Sequence, residues 1–117
     1  MFTTKIPIPP STNVIWKVGK KKMYLNPKYS EWKNTSTVMA LNNKKGDYIS
    51  GHYSLILAVG RPDKRRRDID NIIKPVSDLL VGIQIVEDDS LCNRVTAFWS
   101  HLVEKGYVKI SIKEWRQ

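Results

Sequence analysis

Residues 53–59 read Tyr-Ser-Leu-Ile-Leu-Ala-Val. Apolar side chains stand on both alternating faces, the pattern of a strand covered on each side and placed centrally in a sheet. Gly60 then gives a turn signal, and residues 60–67 carry five bases before Asp68-Ile69-Asp70-Asn71. Ile72, Val76, Leu79, Leu80 and Ile83 recur at helical spacing, and Gly82 is suited to end that helix. Pro75 removes an amide early in the segment, so an irregular first turn or a later helix start is expected. Residues 95–102 and 107–112 read as two strands joined by the polar stretch 103–106, which predicts an antiparallel hairpin.

Upstream, residues 5–8 form a short strand closed by Pro9-Pro10, with a polar turn at Ser11-Thr12-Asn13. Residues 14–24 suit a hairpin with Gly19 near its turn and Lys20, Lys21 and Lys22 at its tip. Asn26-Pro27 is a helix start, because asparagine caps free amides and proline fits the first turn. Tyr29, Trp32, Ser36 and Met39 follow at helical spacing, and residues 42–46 end the helix. The order β, hairpin, α, β, α, β, β predicts an α+β (mixed α/β) fold: a mixed β-sheet packed by two main helices, in one domain spanning residues 1–117.

The chain of 117 residues carries 20 lysines and arginines against 11 acids, a formal net charge of +9. That balance points to a polyanionic partner, with nucleic acid foremost. Residues 1–50 hold nine lysines and two acids, so most of the acids fall in the second half, where the chemistry is expected. The lone Cys92 excludes an intrachain disulfide and a Cys-pair zinc site, and His52 and His101 are too few for a histidine-rich metal centre. We read these three as structural, and Trp32, Trp99 and Trp115 as packing residues. No apolar run approaches the roughly 20 residues of a membrane span, and residues 1–10 lack signal-peptide features, so a cytoplasmic location is expected.

Residues 60–89 concentrate the chemistry. Phosphodiester hydrolysis calls for hard oxygen ligands to Mg²⁺, and Asp68, Asp70 and Asp89 supply them if the chain returns after the helix to the end where it began. Three carboxylates brought together repel, and a divalent cation removes that conflict. Asp88 is a further candidate ligand. Lys74, four residues beyond Asp70, lies on the same helical face if the turn is regular and is placed to stabilise charge on a phosphate or leaving oxygen. Each acid also has an ordinary role open to it: Asp70 as a helix cap, Asp68 as a partner of Arg67, Asp88-Asp89 as a turn dipeptide.

Arg61, Lys64, Arg65, Arg66 and Arg67 are dense enough for salt-dependent phosphate contacts. Lys20, Lys21 and Lys22, flanked by Trp16 and Tyr24, suit either DNA contact or a solvated tip.

The run Arg61-Pro62-Asp63-Lys64-Arg65-Arg66-Arg67-Asp68-Ile69-Asp70-Asn71, then Lys74, Asp78 and Leu79, then Glu87-Asp88-Asp89, resembles the RusA family of Holliday junction resolvases. Pro9-Pro10-Ser11-Thr12-Asn13 is similar to that family's start. The resemblance implies a homodimeric, Mg²⁺-dependent endonuclease, with Mn²⁺ as a substitute, that makes paired symmetric nicks in four-way DNA junctions in bacteria or their phages. It assigns metal binding to Asp68, Asp70 and Asp89 and catalysis to Lys74. Leu91, where many relatives have glutamine, and Pro75 depart from the pattern. Two other readings stand beside this one: a non-catalytic basic DNA-binding protein, and an endonuclease for flaps or other branched DNA.

Overall fold

The computed structural model describes residues 1–10, 16–19, 22–25, 27–65 and 67–115, with the backbone alone for 16–19 and 22–25. Strand β1 (Phe2–Pro7) is followed by the hairpin strands β2 (Trp16–Gly19) and β3 (Lys22–Leu25), then helix α1 (Pro27–Asn43). The central strand β4 (Tyr53–Val59) leads through a 3-10 turn (Ile69–Ile72) into helix α2 (Ile73–Gly82). A second 3-10 turn (Asp89–Leu91), β5 (Cys92–Trp99) and β6 (Tyr107–Glu114) complete the order. The main sheet runs β1-β6-β4-β5, mixed as expected, and β2-β3 forms a separate antiparallel ribbon.

Strand β4 is central, but only one of its faces is closed. Leu55, Leu57 and Val59 are fully buried in one core with Val76, Leu79, Leu80, Ile110 and Ile112, whereas Ile56 on the opposite face is 42% exposed. The neighbouring Phe98 on β5 is 43% exposed. Both helices contribute to that single core, which corrects the two-sided burial expected from the apolar run. An alternating strand with a small residue at Ala58 and a polar one at Ser54 tolerates an open face.

The hairpin expected of the last two strands does not form. β5 runs parallel to β4 on one side, and β6 runs antiparallel to β4 on the other. The chain between them must cross the end of β4, and Gly60 makes that crossing fit. Its amide donates to Tyr107 O at 2.9 Å, its carbonyl accepts from Gly106 N at 2.9 Å, and a Cβ added there would overlap the Glu104 carbonyl. β6 then pairs with β1 along its other edge.

Pro75 acts as expected: a 3-10 turn precedes α2, and the proline sits in its first turn, where a missing amide costs least. At the other end the left-handed residue is Gln84 (φ 61°), not Gly82. Ile85 N donates to Leu80 O and Gln84 N to Val81 O, both at 3.0 Å, a Schellman closure in which Leu80 and Ile85 are both fully buried. The turn aims Ile85-Val86 inward, where Val86 bridges Ile49, and so delivers residues 87–89 to the start of β5.

Candidate active site

Lys74 lies in the first turn of α2, and Asp89 opens the 3-10 turn that packs against that helix. Although the two are fifteen residues apart, Lys74 Nζ is 3.1 Å from Asp89 Oδ2. The same ammonium lies 2.9 Å from Asp78 Oδ1, one helical turn further on. Hydrogen bonds first from Asp78 and then from Asp89 push the Lys74 pKa up, so the group is held charged.

Asp68 precedes the first 3-10 turn with extended backbone and makes no side-chain cap bond, and α2 has no side-chain cap either. The capping roles open to Asp68 and Asp70 are therefore not taken, and both side chains are exposed. The Asp70-bearing turn packs against β5. Asp88, by contrast, takes the ordinary role: its carboxylate accepts from Ser90 N at 2.8 Å, and that bond holds its pKa below the usual carboxylate value.

Carboxylates are the right donors for a hard cation. Among the described residues, however, no three acid, histidine or cysteine side chains gather closely enough to hold one ion. Lys74 sits on the Asp89 oxygen that an ion would need.

The basic loop is organised by Asp63, which sequence reasoning did not single out. Arg67 Nη2 is 2.8 Å from Asp63 Oδ2, Arg67 Nε donates to Oδ1 at 3.3 Å, and Arg65 N donates to Oδ1 at 2.9 Å. The Arg67 hydrogen bond is the main cause of a lowered Asp63 pKa, followed by that from the Arg65 amide. Arg67 thus pairs with Asp63 and not with Asp68. Arg61 lies 4.2 Å over the Trp99 ring, so Trp99 serves as a platform for a basic residue as well as packing. Lys64 is exposed; Lys20, Lys21 and Arg66, and the Lys22 side chain, lie outside the described residues.

Sequence reasoning also passed over Tyr53 and Asp78. Tyr53 is fully buried, and its hydroxyl has no hydrogen-bond partner among the described residues. Burial is the main cause that raises its pKa; Cys92, its register partner on β5, and the Asp89 and Asp88 carboxylates add to it. Asp78 stood in the sequence at the i,i+4 spacing from Lys74, which was the available signal.

A one-sided α+β chain of this size, which sets a basic loop beside a lysine and several carboxylates, belongs to the class of small proteins built to work on a polyanion. Comparison narrows the class to one family. The model for Endodeoxyribonuclease RusA matches residues 7–113, and the chain belongs to the RusA family. It is similar to the crossover junction endodeoxyribonuclease RusA of Aquifex aeolicus (strain VF5), with 27% identity covering 97% of this chain and 87% of the relative. It is also similar to the enzyme of the same name from Enterobacteria phage HK97, at 27% identity over 93% of this chain and 91% of the relative.

Proposed function

We propose that this protein is a Mg²⁺-dependent endonuclease that resolves four-way DNA junctions by paired, symmetric phosphodiester hydrolysis. The observation that carries the reading is the contact between Lys74 and Asp89, two residues chosen from sequence that the fold brings together across α2 and the start of β5. Membership of the RusA family and the names of the two relatives support the choice of substrate.

On this reading Arg61, Lys64, Arg65 and Arg67 bind junction phosphates, with Asp63 fixing the splay of Arg67. Asp68, Asp70 and Asp89 hold Mg²⁺, or Mn²⁺ in its place, once Lys74 has released Asp89. The bound ion would polarise a phosphate oxygen and lower the pKa of water. Lys74 stabilises negative charge on the phosphate or the leaving oxygen. A homodimer presents two such sites to two symmetry-related strands. The work belongs to recombination and repair in the bacterial cytoplasm, for host or phage.

The test is cleavage of a mobile synthetic four-way junction against linear duplex and a flap of matched sequence, in Mg²⁺ or chelator, for wild type and Asp70→Asn. We expect paired cuts on opposing strands of the junction alone, lost in chelator and in Asp70→Asn while junction binding persists. Preferential cutting of the flap would move the reading to a different branched substrate. Tight, metal-indifferent binding without cutting would replace it with a DNA-binding protein.

A further inference from the structure

The Lys74 ammonium bridges two carboxylates that differ in what else is asked of them. Asp78 lies on α2 itself, whereas Asp89 arrives on the turn before β5. If Asp89 gives its oxygens to a divalent cation, the ammonium cannot stay on the same oxygen, because like charges a few ångströms apart repel. All three side chains have room to rearrange: they are 71%, 48% and 39% exposed for Lys74, Asp78 and Asp89. An exposed i,i+4 pair adds little to stability, so Asp78 is not explained by holding the helix together.

We propose that Asp78 is a positioning residue of this site, retaining Lys74 when Asp89 turns to the metal and so lowering the competition between ammonium and cation for Asp89. The inference rests on the metal reading above. With Asp78 neutralised, Asp89 is the carboxylate left to the ammonium among the contacts described, and an incoming ion must displace Lys74 with no second carboxylate to receive it. The sign follows: removing Asp78 weakens metal binding through Lys74, and removing Lys74 erases that effect.

The experiment measures Mn²⁺ binding directly, from the electron paramagnetic resonance signal of the free ion. The proteins are the full-length wild type, Asp78→Asn, Asp78→Glu, Lys74→Met and the Lys74→Met/Asp78→Asn double variant. The Mg²⁺ dependence of junction cleavage by wild type and both Asp78 variants is read in parallel, and thermal melts confirm that each protein is folded. We expect Asp78→Asn to weaken Mn²⁺ binding about tenfold, the scale seen when a partner of a metal ligand is removed. The Mg²⁺ needed for half-maximal cleavage should rise with it, and Asp78→Glu should recover most of the loss. In the Lys74→Met background the Asp78→Asn change should have no effect. Unchanged Mn²⁺ affinity in Asp78→Asn would overturn the proposal while leaving the metal site standing. A loss that persists in full without Lys74 would also overturn it, since Asp78 would then act on the ion directly. Absence of saturable Mn²⁺ binding by wild type would overturn the metal reading itself, and this proposal with it.

Discussion

At Asp63 one carboxylate serves two arginines, while at Lys74 one ammonium serves two carboxylates. The two clusters are near mirror images in charge, and both are substantially exposed, so neither does much to hold the fold together. What separates them is the charge left over. The Asp63 cluster keeps an excess of positive charge, which suits phosphate binding. The Lys74 cluster, with Asp68 and Asp70 on the turn that leads into the same helix, keeps an excess of negative charge, which suits a cation. A chain with net charge +9 thus separates binding from chemistry by giving each cluster a central ion of the opposite sign.

The largest effect should come from taking an acid away from the acid-rich cluster. Asp89→Asn should lower junction cleavage about 1000-fold, the equivalent of several kcal/mol of transition-state stabilisation, with junction affinity retained or improved. Strand-resolved gels and a gel-shift titration would check the two halves of that statement. Comparable cleavage by the variant would show that the Lys74 cluster is merely a surface ion pair.

The next effect tests the scaffold that carries the basic loop. Gly60→Ala places a methyl group against the Glu104 carbonyl where the β5–β6 connection crosses, and should cost about 3 kcal/mol, the upper end of ordinary overpacking. Urea denaturation would measure it. A near-neutral result would mean that the crossing is looser than its hydrogen bonds imply.

Taking a base from the base-rich cluster should weaken binding without touching chemistry at saturating DNA. Arg65→Ala and Arg67→Ala should each flatten the plot of log affinity against log salt by about 0.9 per lost phosphate contact. Cleavage at saturating protein and Mg²⁺ should change far less. If either change abolished turnover, the division of labour between the clusters would fail.

The smallest effect concerns pH. The Arg67 guanidinium and the Arg65 amide hold the Asp63 pKa below its ordinary 3.8. A depressed carboxylate contributes stability that is present above its unfolded value and lost as pH falls through the lowered folded one. Asp63 should therefore titrate at a pH below 3.8 by carbonyl NMR, and Arg67→Ala should move the midpoint back towards that value. A midpoint at or above 3.8 in wild type would dissolve the Asp63 cluster as described.

Local features of the sequence were legible, and long-range ones were less so. The bounds of β4, the apolar stripe of α2 and the displaced helix start at Pro75 all follow from residues within a few positions of one another. The arrangement of β5 and β6 does not: it depends on Gly60 admitting a chain segment some forty residues later, and nothing in the alternation of either strand records that. The turn after α2 was misplaced because Gly82 has the backbone freedom, whereas Gln84 takes the left-handed conformation as the flanking Leu80 and Ile85 bury. At the site, Lys74 and Asp89 were chosen by residue type and order. The roles of Asp63 and Asp78 were written in i,i+4 spacings that look the same as ordinary helix or loop pairs until distances are known. Trp99 under Arg61 could not be found without the fold, since the pairing spans two strand ends.

The most direct test of the account is a crystal structure of the protein soaked in Mn²⁺, with the ion located by its anomalous scattering. The account predicts an ion about 2.0–2.3 Å from carboxylate oxygens of Asp68, Asp70 and Asp89, with Lys74 Nζ withdrawn from Asp89 and resting on Asp78. Saturating Mn²⁺ with no ion at those carboxylates, and Lys74 still spanning Asp78 and Asp89, would contradict it.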